Sequence, residues 1–149
     1  MIESLLKSCL FTKTSVAAAA AVDDIVGGAI IDLGSPTEGQ FNSVCFVAIL
    51  GEVTAASVVT LKAFCGNEAA LGDGAYKTAT ATVTAVLNDT DNNLVILDVI
   101  QPGKRYVRGD LVIDTQNAVV DSIIAIRYNA KTLPTTQTAE VADGEISVN

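Results

Sequence analysis

The chain has no histidine and no tryptophan, only three cysteines and three prolines, and nine basic residues against seventeen acidic ones. Each shortage removes a class of function. Without histidine, nucleophilic sites that rely on an imidazole base cannot be built. A structural zinc site takes about four Cys/His ligands, and Cys9, Cys45 and Cys65 offer neither that number nor a C-x-x-C spacing. Their odd count fits a reducing compartment. Cys45 sits inside the apolar run Val44–Leu50, the ordinary place for a buried thiol. Carboxylate pairs of the glycosidase type stay open. A sugar cleft draws on aromatic platforms, however, and four Phe and three Tyr are all the aromatics present. Phosphate backbones are held by Lys and Arg. With a net charge of −8 and a pI near 4.3, no nucleic-acid partner is expected. No run reaches the 18 apolar residues of a membrane helix. Lys13 also interrupts the N-terminal apolar stretch before it attains the length of a signal-peptide core, so no membrane association is expected.

What the chain does have is small apolar residues. Half of it is apolar and only 17% is charged, which leaves apolar surface on a body of 149 residues. Large exposed apolar patches mark protein contacts, so an oligomer or an assembly subunit is expected. The length suits a single domain that buries roughly 65–70% of its unfolded surface, enough for a core without disulfides or metal.

The patterning is that of strands. Phe41–Leu50 is apolar on both of its alternating faces, which places it centrally or under two layers. Ser57–Phe64 alternates Val59, Leu61 and Ala63 with Thr60 and Lys62, as a half-buried strand does. Thr78, Thr80, Thr82 and Thr84 alternate with Ala79, Ala81, Val83, Ala85 and Leu87, and β-branched threonines suit a sheet. Leu94–Arg127 holds three further strand-like runs, with a Pro102-Gly103 turn after the first. Ala29–Leu33 reads as a short strand. Residues 1–15, with Ile2, Leu5, Leu6, Leu10 and Phe11, suit one or two helical turns or an extended arm that docks on a neighbour. The alanine run 17–21 suits a short helix or the same arm. Leu133-Pro134 ends regular pairing. Ile146 and Val148 in the acidic tail allow one last strand or an anchor to another subunit. The expected fold is all-β: an antiparallel β-sandwich, jelly-roll or Ig-like, of 7–8 strands. The expected division is an extended N-terminal arm over 1–28, the sandwich over 29–134 and a tail over 135–149.

No catalytic constellation emerges, and neither cofactor nor metal is expected. Asp89-x-Asp91-x-Asn93 opens like a calcium loop but has Leu94 and Ile100 where Gly and Glu are required, so a polar turn is expected. Gly27-Gly28 and Gly72-Asp73-Gly74 lack the Lys-Ser/Thr of a phosphate loop. Arg108-Gly109-Asp110 spells the tripeptide that integrins read, in a strand-like run rather than at a loop tip. Lys104, Arg105 and Arg108 form the only tight basic group. They serve either to keep an edge strand soluble or to pair with an acidic neighbouring subunit. The candidate partner-binding residues are therefore Leu5, Leu6, Leu10 and Phe11 from the arm, with Lys104, Arg105 and Arg108.

The order of elements resembles a family of small structural proteins of tailed bacteriophages, the head decoration, cement or minor capsid proteins. The resemblance rests on Ala17–Ala21 leading to Ile31-Asp32-Leu33-Gly34, then Phe41-Asn42-Ser43-Val44 and Val58–Phe64. It continues through Gly103-Lys104-Arg105-Tyr106-Val107-Arg108 to a final strand ending at Arg127, with Leu133-Pro134 soon after. It covers roughly residues 15–135 by order and spacing, without a single diagnostic motif. Segment 1–15 and Arg108-Gly109-Asp110 depart from the pattern. The resemblance implies a β-sandwich that is made in the host cytoplasm and sits on the outer surface of the virion. There it would bridge copies of the major capsid protein, commonly as a trimer. A tail-tube or head–tail joining protein, or a carbohydrate-binding adhesive sandwich, are the alternatives.

Overall fold

The computed structural model describes residues 4–35, 40–86, 90–133, 135, 137 and 141. Ile2, Asp89, Pro134, Ile146 and Val148 lie outside the described residues. One helical turn, α1 (Leu5–Ser8), precedes ten strands: β1 (Leu10–Lys13), β2 (Ala18–Ala20), β3 (Ile25–Gly27), β4 (Ile31–Asp32), β5 (Phe41–Val53), β6 (Val58–Gly66), β7 (Ala75–Thr84), β8 (Leu94–Ile100), β9 (Tyr106–Asp114) and β10 (Ala118–Ala130). They form two antiparallel five-stranded sheets. Sheet A runs β1-β10-β5-β8 with β2 also on β10, and sheet B runs β3-β9-β6-β7 with β4 also on β9. The protein is an all-β sandwich, as its alternating pattern predicts, with ten strands among the described residues where seven or eight are expected.

The extra strands come from the segment expected to be an arm. Leu10–Lys13 pairs with Arg127–Ile124 and Ala18–Ala20 with Val120–Ala118 in sheet A, and Ile25–Gly27 pairs with Val112–Asp110 in sheet B. The alanine run is thus strand, not helix. From Leu10 onward the segment is built into the sandwich and zigzags between the two sheets along one side. The physical reason is that β9 and β10 would otherwise carry a row of unpaired N–H and C=O groups on that side. The tail also turns back onto its own chain. Thr135 donates its N–H to the Lys7 carbonyl, and the Gln137 side-chain amide donates to the carbonyls of Leu6 and Cys9.

The core lies between the sheets. Phe46, Leu50, Leu61, Leu111, Ile113 and Ile123 are fully buried there, each contributing about 1.5–3 kcal/mol relative to an exposed side chain. Cys65 and Cys9 are buried free thiols. The Pro102 turn is reversed by Gly103 at φ +69, a left-handed value that glycine adopts without strain. Gly109 lies against the Phe46 ring so closely that a Cβ on it would come within 2.6 Å of a ring carbon.

Candidate protein-docking face

The outward faces of the two sheets differ. On sheet B the β7 threonines and Thr60 point out, Thr60 and Thr82 share a hydroxyl hydrogen bond of 3.1 Å, and Lys62, Arg108 and Tyr76 share a mixed surface with Val58, Phe64, Val112 and Ile25. Sheet A turns out apolar side chains. Its register aligns Phe11, Ile126 and Cys45 in one row and Ile124, Val47 and Ile96 in the next, with Ile49 and Leu94 above them. Side chains alternate across a strand, so inward Val44, Phe46, Ala48 and Leu50 force Cys45, Val47 and Ile49 outward. On β8 the outward residues Leu94, Ile96 and Ile100 are 56%, 54% and 66% exposed. At about 4.8 Å between strands and about 6.8 Å between rows, these nine side chains make an apolar plate on the order of 300 Å² in projection, bordered by Lys13, Asp98 and Ser122. A patch of that size on a monomer is commonly functional.

Lys13 lies at the β1 margin of this plate and Asp98 at the β8 margin. The Tyr128 hydroxyl donates to the Asp98 carboxylate at 2.6 Å. Burial, and then that bond to an anion, push the Tyr128 phenol up to about 12. Burial, and then the Asp98 charge, also raise the Cys45 thiol. Thiol and phenol therefore stay protonated at neutral pH and do not act as nucleophiles. Among the described residues no group of three Cys, Asp or Glu side chains is placed to hold a metal ion.

The partner-binding candidates from sequence scatter. Leu5 is exposed on α1 and Leu6 half-buried. Leu10 is fully buried in the core, because it points inward opposite Arg127, so it cannot serve as an anchor for a partner. Phe11, its neighbour, points outward and borders the plate. The basic group is largely paired within the chain. Lys104 is exposed, but Arg105 pairs bidentately with Asp32 at 2.9 and 2.8 Å. Arg108 pairs bidentately with Asp110 at 2.6 and 2.8 Å. Asp110 is fully buried although it lies on the outward side of β9, under Arg108 and the Tyr76 hydroxyl at 3.0 Å. All three residues of the Arg-Gly-Asp tripeptide are thus committed to the fold, and none is offered at a loop tip. In the Gly66–Gly74 loop Asp73 accepts from the backbone N–H groups of Glu68 and Asn67, which hold its carboxyl below the usual range. That loop closes on its own carboxylate rather than around a phosphate.

Sequence reasoning missed Arg127. It is buried at the end of the sandwich, where it donates to the Asp32 carbonyl and to Thr12 Oγ1 and lies over the Phe41 ring. Parity was the available signal: Ile123, Ala125 and Arg127 are two apart, so the arginine shares the inward face.

The Arg105 guanidinium, donating to Asp32, holds that carboxyl below the ordinary aspartate value despite partial burial. A depressed folded-state pKa adds stability above the unfolded value, about 4, and loses it as pH falls through the folded value. Asp32→Asn is therefore expected to show a shallower loss of stability from pH 5 to pH 3 than the native protein, by a small margin because the pair is at the surface. Urea titrations at the two pH values check this, and equal slopes would remove Asp32 from the acid response. No protein-family model matches the chain, and no curated protein matches it significantly, so the functional reading rests on this fold, this face and the order of elements.

Proposed function

We propose that the chain is a structural virion protein that decorates and stabilises the outer surface of a tailed-phage capsid, and that it docks on the major capsid protein through the outward face of sheet A. The observation that carries this is the contrast between the two faces of the sandwich. A free monomer in water gains nothing from nine apolar side chains on one sheet, whereas on the other Val58, Phe64, Val112 and Ile25 are interleaved with threonines, Lys62 and Arg108. The partner is taken from the resemblance in element order. In this reading the chain performs no chemistry and needs no cofactor. Buried face area adds about 25 cal/mol per Å², and many copies on one shell turn modest single contacts into high avidity.

Electron cryomicroscopy of virions tests the reading directly: sheet A should face the shell, and a map without this chain on the outer surface would overturn it. Val47→Glu places a carboxylate at the centre of the plate without touching the core. It is expected to change stability by less than about 1 kcal/mol while weakening binding to shells stripped of the protein by roughly 30-fold or more. Undiminished binding would move the docking surface elsewhere.

A further inference from the structure

The sandwich has four sheet edges, and three are protected in recognisable ways. The β1 and β2 edge is short, and Gln137 Oε1 accepts the Phe11 N–H there. The β3 and β4 edge consists of three residues and two. β7 is long, but its ladder with β6 shifts register between Lys62 and Phe64, and Lys77 reaches across to the Pro102 carbonyl. Short strands, irregular ladders and lysine are the usual devices against edge-to-edge pairing. β8 has none of them. Its seven residues pair with β5 without a shift, from Ser43↔Ile100 to Ile49↔Leu94, and all but Asp98 are apolar. Among the described residues it pairs with no strand on its other side.

The ladder phase shows what that open side offers. Leu50 donates its N–H to the carbonyl of its partner Asn93, which makes every second pair from there a hydrogen-bonded one. Val95, Leu97 and Val99 therefore bond to β5, while Leu94, Ile96, Asp98 and Ile100 turn N–H and C=O to the open edge. We propose that β8 is a self-association edge: a second copy lays its own β8 antiparallel against it, about a two-fold axis at Leu97, joining two sheets A into one.

This register matches the edge to itself. Leu94 bonds with the partner's Ile100 and Ile96 with the partner's Asp98, and the reverse pairs follow by symmetry, giving ~8 hydrogen bonds at two per pair. Every outward-turned N–H and C=O of the strand finds a mate. Leu97 meets the partner's Leu97 and Val95 the partner's Val99 on the core side, extending both cores. Sliding by two residues one way sets Asp98 opposite the partner's Asp98, a like-charge pair that destabilises. Sliding the other way leaves Ile100 without a mate. An open groove between Lys77–Ala79 and Leu97–Ile100 keeps the edge accessible. The pairing yields even numbers of copies in place of the trimer that the resemblance implies, and it is independent of what the outward face of sheet A binds.

The test is the mass of the full chain in solution, by sedimentation equilibrium or native mass spectrometry at about 100 µM, a concentration suited to a small interface. The native protein should be a dimer. Ile96→Pro removes an N–H that faces the open edge and leaves the β5 ladder intact, a position where an edge strand tolerates proline. It should be monomeric with an unchanged circular dichroism spectrum. Should that variant fail to fold, Leu97→Cys decides. Non-hydrogen-bonded antiparallel partners are about 4.5 Å apart at Cα, within disulfide range, so oxidation should link most molecules in pairs, well above the background from Cys9, Cys45 and Cys65. A native monomer or trimer, a folded Ile96→Pro that remains dimeric, or Leu97→Cys linking no better than the native protein would each overturn the proposal. Val47→Glu separates it from the capsid reading, because that variant should stay dimeric while losing the shell.

Discussion

Arg108→Glu will destabilise the protein by about 3 kcal/mol, and most of that loss belongs to Asp110. The Asp110 carboxylate has no exposure to water. It is compensated by two hydrogen bonds from the Arg108 guanidinium and one from the Tyr76 hydroxyl. Breaking a buried ion pair by removing one partner costs about 3–5 kcal/mol, because the other charge is left in a poorly solvating site. The guanidinium side chain is 32% exposed, which lets water reach the gap and places the expected value at the low end. Glutamate then adds a second anion within the same contact. Arg108→Met combined with Asp110→Leu should recover most of the loss, since an apolar pair of similar volume removes the orphaned charge along with its partner. Arg105→Glu should matter little to folding, as its pair with Asp32 is at the surface. Urea denaturation of the four proteins checks the set. A single Arg108→Glu within 1 kcal/mol of the native protein would mean that Asp110 finds water or another donor. Reversing both arginines is expected to act on folding through Arg108.

The second large effect is expected one residue further along. Gly109→Ala should cost about 3 kcal/mol, at the upper end for overpacking a core. The added methyl carbon would lie 2.6, 2.9 and 3.0 Å from three carbons of the Phe46 ring. Two of these are Cδ1 and Cγ, close to the root of the side chain, so ring rotation alone cannot clear them. Phe46 is the largest fully buried side chain, and native cores are packed closely enough that an added methyl is felt. For a chain of this size the loss corresponds to a fall in Tm of roughly 6–12 °C. Phe46→Leu is destabilising alone, yet in the double variant it should cost less than the sum of the two, with a coupling of about 1 kcal/mol or more. Strict additivity would show that β9 moves aside as a unit and that the ring contact is not the cause.

These two sites show what alternation could and could not convey. β5, β6, β8, β9 and β10 are legible because a sheet with one buried face repeats every two residues, and the runs Val59-Leu61-Ala63 and Val95-Leu97-Val99 carry that period. The apolar character of both sides of Phe41–Leu50 is also legible, and of its two readings, a central strand or one under two layers, the first holds: β5 lies between β10 and β8, with one face in the core and, among the described residues, the other in the plate of sheet A. The first three strands were not legible as part of the sandwich, since runs of three or four residues hold too little of a period and their pairing is decided by β9 and β10 a hundred residues away. The Arg108–Asp110 pair is two residues apart on one face of one strand, a geometry the sequence permitted.

The threading of the first strands onto the last ones also has a consequence in time. Among the described residues β1 pairs only with Ile124–Arg127 and β2 only with Ala118–Val120, so these strands have no ladder partner until β10 has been made. At about 5–20 residues per second, β1 waits roughly 6–20 s on the ribosome. During that wait the apolar β5 and β8 stand as an unfinished sheet lacking its central neighbour β10. Closure therefore waits on β10, and it proceeds through long-range pairings of the kind that fold slowly. A polypeptide released before residue 118 can complete neither sheet A nor the seam that ties it to sheet B.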